Sequence, residues 1–313
     1  GVALEPVNIG IDLGGTNIQG AAARGDEILS RGKIATRAKE PATAVLDDIA
    51  KLALELAAGL PIAAVGLGLP GLLDPEKGIC LIAENLGWQD VPVTEVLQEK
   101  LQAPVFIEND ARVAALGELA QGKARGCKDF IYITVGTGIG SGIYIDGKLL
   151  RGSRWCAGEV GHMVMDPRGE ECTCGNRGCL ETLASAPAIT RAARKAAAYN
   201  PESVLAFVRP EQIDAAAVFR AAIIDKIAAE IVDSAMTWLG IAIANLVNVF
   251  NPELVVIGGG VSLAGEELLQ PIQIAVDNLC LRVQKNTVTI TTSALGDRAG
   301  VAGALELIRQ NLG

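Results

Sequence analysis

The sequence predicts an α/β protein built from two related domains. Segments typical of strands alternate with helical segments, as expected for sheets with parallel strands that are covered by helices. A strand, a glycine-rich turn and a second strand follow one another twice, over residues 7–23 and again over residues 130–146. Half of the 313 residues are hydrophobic but only 4% are aromatic. Ala, Val, Leu and Ile must therefore fill the core, as they do in such sheets.

The first half of the chain provides the elements of one such domain. After the strand pair at 7–23 we predict an amphipathic helix over residues 41–59 and a buried strand over 63–69, which ends at a Pro-Gly pair. A short strand over residues 105–108 passes into an Ala-rich helix over 111–122. Residues at such a junction lie at the carboxyl edge of the sheet, where open α/β folds bind their ligands.

The second half repeats the alternation. We predict helices over residues 188–198 and 215–237, a strand over 254–257 and a closing helix over 300–310. Residues 200–213 contain two prolines and few periodic positions, and they are predicted to form a surface excursion.

Charge and hydropathy exclude several classes of protein. The net charge of −9 and the isoelectric point near 4.9 argue against a nucleic-acid-binding surface, which needs a basic face. Residues 234–252 are uncharged and nearly long enough to span a membrane, but three amides and a final proline favour a buried core helix. The N-terminus lacks the regions of a signal peptide. We therefore expect a soluble, cytoplasmic protein without nucleic-acid or membrane partners.

The single histidine and three of the seven cysteines are close together in the sequence. His162 is followed by Cys172, Cys174 and Cys179, the composition of a closed structural zinc site, in which four protein ligands leave no open position for catalysis. A core histidine with incidental thiols is the alternative, and Cys156 is a weaker candidate ligand. Without a secretory signal, such crowding favours metal binding over disulfides.

Two acids flank this cluster. Glu159 and Glu181 could be solvated surface residues, but their position around a turn held by a metal favours acceptance of hydrogen bonds from ligand hydroxyls. A neutral imidazole has two ring nitrogens, so His162 could bind zinc through one and a ligand through the other. The cluster therefore predicts a metal-braced wall beside a polar binding site.

Three glycine-rich turns follow predicted strands, at residues 12–16, 136–140 and 258–260. Their backbone N–H groups could bind phosphate, although a plain hairpin turn explains the first two about as well and a strand terminus explains the third. Three such turns together favour a phosphate ligand. None has the dinucleotide-binding spacing or a following Walker lysine, which argues against NAD and against a P-loop. The acidic net charge does not exclude ATP, because such turns and Mg²⁺ bind phosphate locally.

Asp110 lies where the strand 105–108 passes into a helix. Asp and the preceding Asn109 are both favoured helix N-cap residues, so that a purely structural role is possible. The same position could present a carboxylate that accepts the proton of a substrate hydroxyl as its oxygen attacks a γ-phosphate. The position by itself does not choose between these roles.

Taken together, these motifs resemble those of the ROK family, and specifically its sugar kinases of the bacterial glucokinase type. The resemblance covers nearly the whole chain, and its most specific part runs from Glu159 to Glu181. The residues that carry it are 12–16, 70–71, 85–88, 108–110, 136–140, 159–181 and 258–261. Residues 297–298 depart from the family pattern, because an Asp-Arg pair stands where many relatives carry two acids.

The resemblance implies a two-domain actin/hexokinase-like ATPase fold, with duplicated ribonuclease H-like domains and a cleft between them. The smaller N-terminal domain would comprise residues 1–117 and the closing helix at 300–313, and the larger domain, with the zinc motif, residues 118–299. The implied activity is that of an ATP-dependent hexokinase, which transfers the γ-phosphate of ATP to the 6-hydroxyl of a hexose, with glucose as the expected substrate.

Roles for individual residues follow from the same resemblance. Asp110 would be the general base, and Asp12 would orient Mg²⁺. The residues implied to bind the sugar are Gly71, Asn85, Asn109, Asp110, Glu159, His162 and Glu181. The residues implied to bind ATP are Asp12, Gly14, Gly15, Thr16, Thr137, Gly138, Gly259 and Gly260. The ligands of the structural zinc would be His162, Cys172, Cys174 and Cys179.

Alternatives remain within the same family. The sugar could be N-acetylmannosamine, N-acetylglucosamine, mannose or fructose, and polyphosphate could replace ATP. A sugar-sensing transcriptional regulator would need an added DNA-binding segment, whereas only six residues precede the first predicted strand. The family suggests a homodimer or a dimer of dimers.

Overall fold

The computed structural model describes residues 4–313, and its contacts divide these into two compact units. The first unit contains the chain up to residue 126 together with residues 149–157 and 297–313, and the second contains residues 127–148 and 158–296. This grouping assigns residues 149–157 to the first unit, whereas the predicted bounds leave them in the larger domain. The predicted domain bounds stay a prediction.

Strands and helices alternate through both units, which confirms the α/β fold class. The strands are β1 Val7–Leu13, β2 Asn17–Arg24, β3 Glu27–Ala35, β4 Ile62–Leu69, β5 Leu72–Asp74, β6 Ile79–Ala83, β7 Trp88–Val91, β8 Val105–Asn109, β9 Phe130–Val135, β10 Ile139–Ile145, β11 Lys148–Leu149, β12 Leu254–Gly258 and β13 Thr289–Thr292. The helices are α1 Ala42–Ala57, α2 Val93–Leu101, α3 Asp110–Gln121, α4 Leu180–Ala184, α5 Ala186–Tyr199, α6 Ala215–Ala221, α7 Lys226–Phe250, α8 Glu266–Leu279, α9 Arg282–Thr287 and α10 Ala299–Leu312.

The first unit is built on a five-stranded sheet in the order β3-β2-β1-β4-β8. Strands β1 to β3 are joined as antiparallel neighbours, while β1, β4 and β8 run parallel. The parallel strands therefore end at one edge of the sheet, with Leu13, Leu69 and Asn109. Strand β3 and the small sheet β5-β6-β7 were not predicted, because β3 alternates between half-buried and exposed positions and the others are short.

Within the first unit, the backbone of helix α10 packs closely against strand β4 and helix α3. A Cβ added to Gly66 of β4 would lie 1.9 Å from the Ala304 carbonyl oxygen, and one added to Gly117 of α3 would lie 2.1 Å from that of Ala299. No side chain fits at such contacts, so glycine at these positions lets the helix backbone reach the sheet and α3. The predicted closing helix thus belongs with the N-terminal sheet.

The second unit is built on a sheet in the order β11-β10-β9-β12-β13. Strand β9 is antiparallel to β10 and parallel to β12, which is parallel to β13. Strand β10 begins at Ile139, three residues before its predicted start, so the glycine-rich turn contains only residues 136–138.

The prediction of one helix over residues 215–237 was wrong, because α6 ends at Ala221 and α7 begins at Lys226. Asp225 starts the second helix: its buried carboxylate accepts hydrogen bonds from the backbone N–H groups of Ile227 and Ala228 and from the Ser203 hydroxyl. This N-cap fixes the start of α7 and so separates it from α6, and apolar periodicity alone does not reveal such a boundary.

Helix α7 is the core helix that the uncharged stretch predicts. Within residues 4–313 it is the one helix whose length and apolar composition would suffice to cross a membrane, and half of that apolar stretch is buried inside the protein. One of its amides, Asn248, bonds to the backbone of Leu279 and Leu281 at the junction of α8 and α9. Burial and these contacts are those of a helix packed within a folded unit.

Candidate functional site

Two carboxylates lie at the carboxyl edge of the first sheet. Asp12 is next to the last residue of β1 and is partly buried, while Asp110 is exposed at the start of α3. Burial, and then the charge of Asp110, raise the pKa of Asp12 to about 7. A carboxylate with this pKa is held ready to bind a cation, because a cation removes the unfavourable interaction between the two charges.

Glycines make room for the Asp12 side chain. A Cβ added to Gly300 would lie 2.2 Å from Oδ2 of Asp12, and one added to Gly68 would lie 3.2 Å from Oδ1. Gly300 belongs to the first turn of α10, whose N–H groups carry partial positive charge and favour an anion. The helix terminus therefore opposes the effect of burial on Asp12.

The capping role falls to Asn109, not to Asp110. Oδ1 of Asn109 accepts hydrogen bonds from the N–H groups of Ala111 at 3.0 Å and Arg112 at 3.4 Å. Its amide nitrogen donates to the Gly71 carbonyl at 3.0 Å, which joins two of the predicted sugar-binding residues. Oδ1 of Asp110 accepts a local hydrogen bond from Ala111 N at 2.8 Å. Helix capping thus does not explain an aspartate at position 110.

A buried ion network holds the strand end that carries these two residues. Glu108 is fully buried, and its carboxylate accepts hydrogen bonds from Arg112 Nη1 at 3.1 Å, Arg151 Nε at 2.6 Å and the Asn109 N–H at 2.9 Å. Nη2 of Arg112 also donates to two carbonyl groups in the segment 149–157. Sequence reasoning missed this network, because Glu108 lies near the end of β8 and Arg112 in the first turn of α3, so that no periodicity of a single element reveals the pair.

Asn85 and Gly71 lie in the first unit as well. Gly71 has φ +91°, and an added Cβ would lie 2.1 Å from the Ile82 carbonyl oxygen, so only glycine fits this turn. The amide nitrogen of Asn85 is 3.5 Å from the position of a Cβ on Gly15. Asn85, predicted to bind sugar, therefore lies beside the glycine turn predicted to bind phosphate.

In the second unit the four predicted zinc ligands converge. One ligand atom from each of His162, Cys172, Cys174 and Cys179 lies within 4.8 Å of all the others. Nδ1 of His162 is 3.6 Å from Sγ of Cys172, and the sulfurs of Cys174 and Cys179 are 3.7 Å apart. A tetrahedron with bonds of about 2.3 Å has edges of about 3.8 Å, so these separations fit a four-coordinate zinc ion.

The thiols differ in their protonation. A backbone hydrogen bond at Asn176 lowers the pKa of Cys174 to about 7, whereas burial raises the pKa of Cys179 to about 12. A bound Zn²⁺ deprotonates its thiol ligands, including one that is neutral on its own. The donor set, three sulfurs and one imidazole nitrogen, is that of structural zinc sites.

The Glu181 carboxylate and the turn that carries Glu159 both contact Ile139, the first residue of β10. Oε2 of Glu181 accepts a hydrogen bond from the N–H of Ile139 at 2.8 Å. A Cβ added to Gly161 would lie 2.1 Å from the carbonyl oxygen of the same Ile139, so the turn between Glu159 and His162 packs against it. Ile139 follows directly on the turn 136–138, which contains two predicted phosphate ligands.

The glycines that follow Gly258 at the end of β12 pack next to the start of the turn 136–138. Gly259, with φ +81°, would place a Cβ 2.4 Å from the Val135 carbonyl oxygen, just before the turn. Thr137 is exposed and helps to line a cavity of about 520 Å³ within the second unit. The residues that line this cavity are Thr137, Ala186, Pro187, Thr190, Arg191, Arg194, Asp214 and Ala215. The cavity lining beyond Thr137 was not predicted.

The predicted site residues thus form two groups. Those in the first unit are Asp12, Gly14, Gly15, Thr16, Gly71, Asn85, Asn109 and Asp110. Those in the second unit are Thr137, Gly138, Glu159, His162, Cys172, Cys174, Cys179, Glu181, Gly259 and Gly260.

Known proteins resemble this chain over almost its full length. The glucokinase of Halalkalibacterium halodurans is 38% identical over 312 residues, which cover 96% of this chain and 94% of that protein. The xylose repressor of Caldicellulosiruptor bescii is 35% identical over 86% of this chain and 69% of its own length.

Among solved structures, a ROK family glucokinase from Streptomyces griseus, in complex with glucose and AMPPNP, matches with a TM-score of 0.83. It is 35% identical, and the match covers 97% of this chain and 99% of the other. The model of the ROK family matches residues 8–311. The chain therefore belongs to the ROK family.

Proposed function

We propose that this protein is an ATP-dependent hexokinase that transfers the γ-phosphate of ATP to the 6-hydroxyl of glucose. The observation that carries the proposal is the Asp110 carboxylate, exposed at the carboxyl edge of the sheet while its neighbour Asn109 caps the helix. The near full-length identity of 38% to a glucokinase supports glucose as the acceptor.

Asp110 accepts the proton of the 6-hydroxyl as that oxygen attacks the γ-phosphorus. Phosphoryl transfer depends mainly on positioning and on stabilisation of charge, so one base and well-placed backbone groups suffice. Asp12 binds or orients Mg²⁺, directly or through water. Mg²⁺ bound with ATP supplies neutralisation of the phosphate charge, and the raised pKa of Asp12 means that a proton competes with the cation near neutral pH.

The sugar is a ring of hydroxyls, and carboxylates, amides and an imidazole are the groups that recognise it. We assign Asn85, Asn109, Glu159, His162, Glu181 and the backbone of Gly71 to this role. A buried polar group that the wrong epimer leaves unpaired rejects that epimer strongly.

Backbone N–H groups of the two hairpin turns bind the phosphates of ATP. These are Gly14, Gly15 and Thr16 in one turn, and Thr137 and Gly138 in the other. The cavity beside Thr137, with a volume of about 520 Å³, is large enough for a nucleoside. We assign Gly259 and Gly260 to positions near the nucleoside.

His162, Cys172, Cys174 and Cys179 hold a structural Zn²⁺. The fit of their separations to a tetrahedron supports this assignment. Nδ1 of His162 faces the sulfurs, so Nε2 is the nitrogen assigned to the sugar. Cytoplasmic location and assembly as a homodimer or dimer of dimers complete the proposal.

A hexose panel tests the proposed reaction. Purified protein, Mg²⁺ and ATP are mixed in turn with glucose, mannose, fructose, N-acetylglucosamine and N-acetylmannosamine, and ADP release is measured. We expect the highest kcat/KM with glucose. A preference for an N-acetyl sugar would reject glucose as the substrate, and polyphosphate in place of ATP tests the donor.

The likeness to a xylose repressor motivates one alternative, a sugar-responsive regulator. The same panel distinguishes the two. A protein that binds a hexose and releases no ADP with any sugar would favour the regulator, whereas turnover would reject it.

A further inference from the structure

Glu181, proposed to bind the sugar, is joined to the turn proposed to bind phosphate. The residue lies in the first turn of α4 and is partly buried. Its Oε2 accepts the N–H of Ile139 at 2.8 Å, and Ile139 is the first residue after the turn 136–138. Within residues 4–313 its other oxygen, Oε1, makes no hydrogen bond, which leaves it available to a ligand hydroxyl.

The glycine at position 138 is explained by this carboxylate. A Cβ on Gly138 would lie 2.7 Å from Oε2 of Glu181, closer than real Cβ atoms approach an oxygen, and 3.8 Å from Oε1. Gly138 is not among the glycines with positive φ, so the backbone of the turn does not itself require glycine. The missing side chain makes room for Glu181.

The turn that carries Glu159 and His162 packs against the same strand start. Gly161, in the turn between Glu159 and His162, packs against the carbonyl oxygen of Ile139. The N–H of Ile139 thus holds the Glu181 carboxylate, and its carbonyl oxygen contacts the turn that carries Glu159.

We infer that Glu181 couples the sugar to the phosphate-binding turn, and that Gly138 is a positioning residue for the sugar. The inference rests on the proposed function and extends it to a specific dependence: hexose affinity is set in part by the shape of the turn 136–138, even without nucleotide. Coupling of this kind is reciprocal, so sugar changes the affinity for ATP by the same factor by which ATP changes the affinity for sugar.

The variant Gly138→Ala tests this dependence. The new methyl group pushes the carboxylate, the movable end of a side chain, away from Ile139 while the fold persists. We expect the Kd for glucose, measured by calorimetry on nucleotide-free protein, to rise about tenfold or more, the usual effect of losing a hydrogen bond to a charged group. Zinc content and thermal unfolding should match those of the wild type.

Gly136→Ala is the matched control. Its Cβ would lie 3.9 Å from the backbone nitrogen of Gly260, an ordinary contact, and it changes the same turn without reaching Glu181. Its glucose Kd should stay within about twofold of the wild type, which is within the usual effect of a well-tolerated substitution.

A double variant separates coupling from simple damage to the turn. If Gly138→Ala acts through the Glu181 side chain, then Glu181→Ala with Gly138→Ala should bind glucose no more weakly than Glu181→Ala alone, because no carboxylate is left for the new methyl group to displace. Additive losses, or wild-type affinity in Gly138→Ala, would overturn the inference and leave the proposed function intact. A wild type that neither binds nor phosphorylates any hexose would overturn the proposed function and this inference with it.

Discussion

The two five-stranded sheets have the same strand order, yet they carry different chemistry at the same place. In the first sheet Asp12 pairs with Gly68 on the parallel neighbour of β1, and in the second sheet Thr134 pairs with Gly258 on the parallel neighbour of β9. Each position precedes a glycine-rich turn. An acid in one sheet thus corresponds to a hydroxyl in the other.

The acids of the two units are also held in different ways. Asp12 and Asp110 are near enough for the charge of Asp110 to raise the pKa of Asp12. Asp110 is the first residue of α3, and Asp12 lies against the first turn of α10. Glu181, two residues after the proposed zinc ligand Cys179, instead accepts a hydrogen bond from the backbone N–H of Ile139. We therefore expect the first unit to supply the general base and the acid that orients Mg²⁺, and the second unit to contribute the acids and the imidazole beside the proposed zinc site. The following predictions test that division.

The largest effect is expected from Asp110→Asn. Loss of a general base typically lowers kcat by about 10²–10⁴-fold. Because Asn109 provides the helix cap, the variant should fold normally and bind glucose with nearly wild-type Kd. Steady-state ADP release, calorimetry and thermal unfolding measure the three properties. Full turnover in this variant would show that Asp110 is not the general base.

His162→Ala should produce the opposite pattern. We expect bound zinc to be lost and glucose affinity to fall about 10–100-fold, the range typical of disturbed metal-site partners, with a smaller change in kcat at saturating glucose. Metal analysis and glucose Kd values measure both effects.

Cys172→Ala is the comparison for that variant. It removes a zinc ligand without removing a proposed sugar contact, so its glucose affinity should fall only through lost architecture, and by less. If His162→Ala changes neither zinc content nor glucose Kd, the proposed link between metal and sugar is wrong.

Asp12→Asn should change how stability depends on pH in protein without Mg²⁺. The pKa of Asp12 is raised from 3.8 to about 7 on folding. The group therefore contributes stability below pH 4 that is lost as pH rises through about 7. Asn lacks this dependence, so from pH 5 to pH 8 the variant should gain about 2–3 kcal/mol in unfolding free energy relative to the wild type. Denaturant titrations at both pH values measure this gain.

Removal of either of two helix caps should have a smaller effect on stability, and glucose binding should distinguish between the two variants. Asn109→Ala and Asp225→Ala should each cost about 1 kcal/mol of unfolding free energy, as lost N-caps usually do. Only Asn109→Ala should also weaken glucose binding, because only Asn109 has a proposed contact with the sugar. Equal glucose Kd values in both variants would remove Asn109 from the site.

The Asp225 cap has its own dependence on pH. Burial acts to raise the pKa of Asp225, but hydrogen bonds from Ser203 and from backbone N–H groups outweigh it and leave the pKa below its usual 3.8. Its stabilising effect is therefore present above about pH 4 and is lost as pH falls through the lowered value. The difference in unfolding free energy between wild type and Asp225→Ala should shrink in acid.

Local patterns predicted the elements whose signal lies within a few residues. The strand before Asp12, the strand before Asn109 and the cluster from His162 to Cys179 could be recognised because periodicity, glycine turns and ligand spacing are local. The same reasoning wrongly joined α6 to α7, since the cap at Asp225 depends on Ser203, which lies outside the apolar pattern. Local patterns also could not decide whether Asp110 is a helix N-cap residue or a general base.

By itself, the sequence determined the α/β class and the repeated strand, turn and strand, and it predicted a set of residues for binding metal, phosphate and sugar. Only the tertiary structure decided how these residues are held. Gly300 makes room for Asp12, Arg151 neutralises Glu108, and Gly138 makes room for Glu181. The physical reason is that each of these contacts joins residues far apart in the chain, so that the requirement for glycine or for charge at one position appears only when its partner is packed against it.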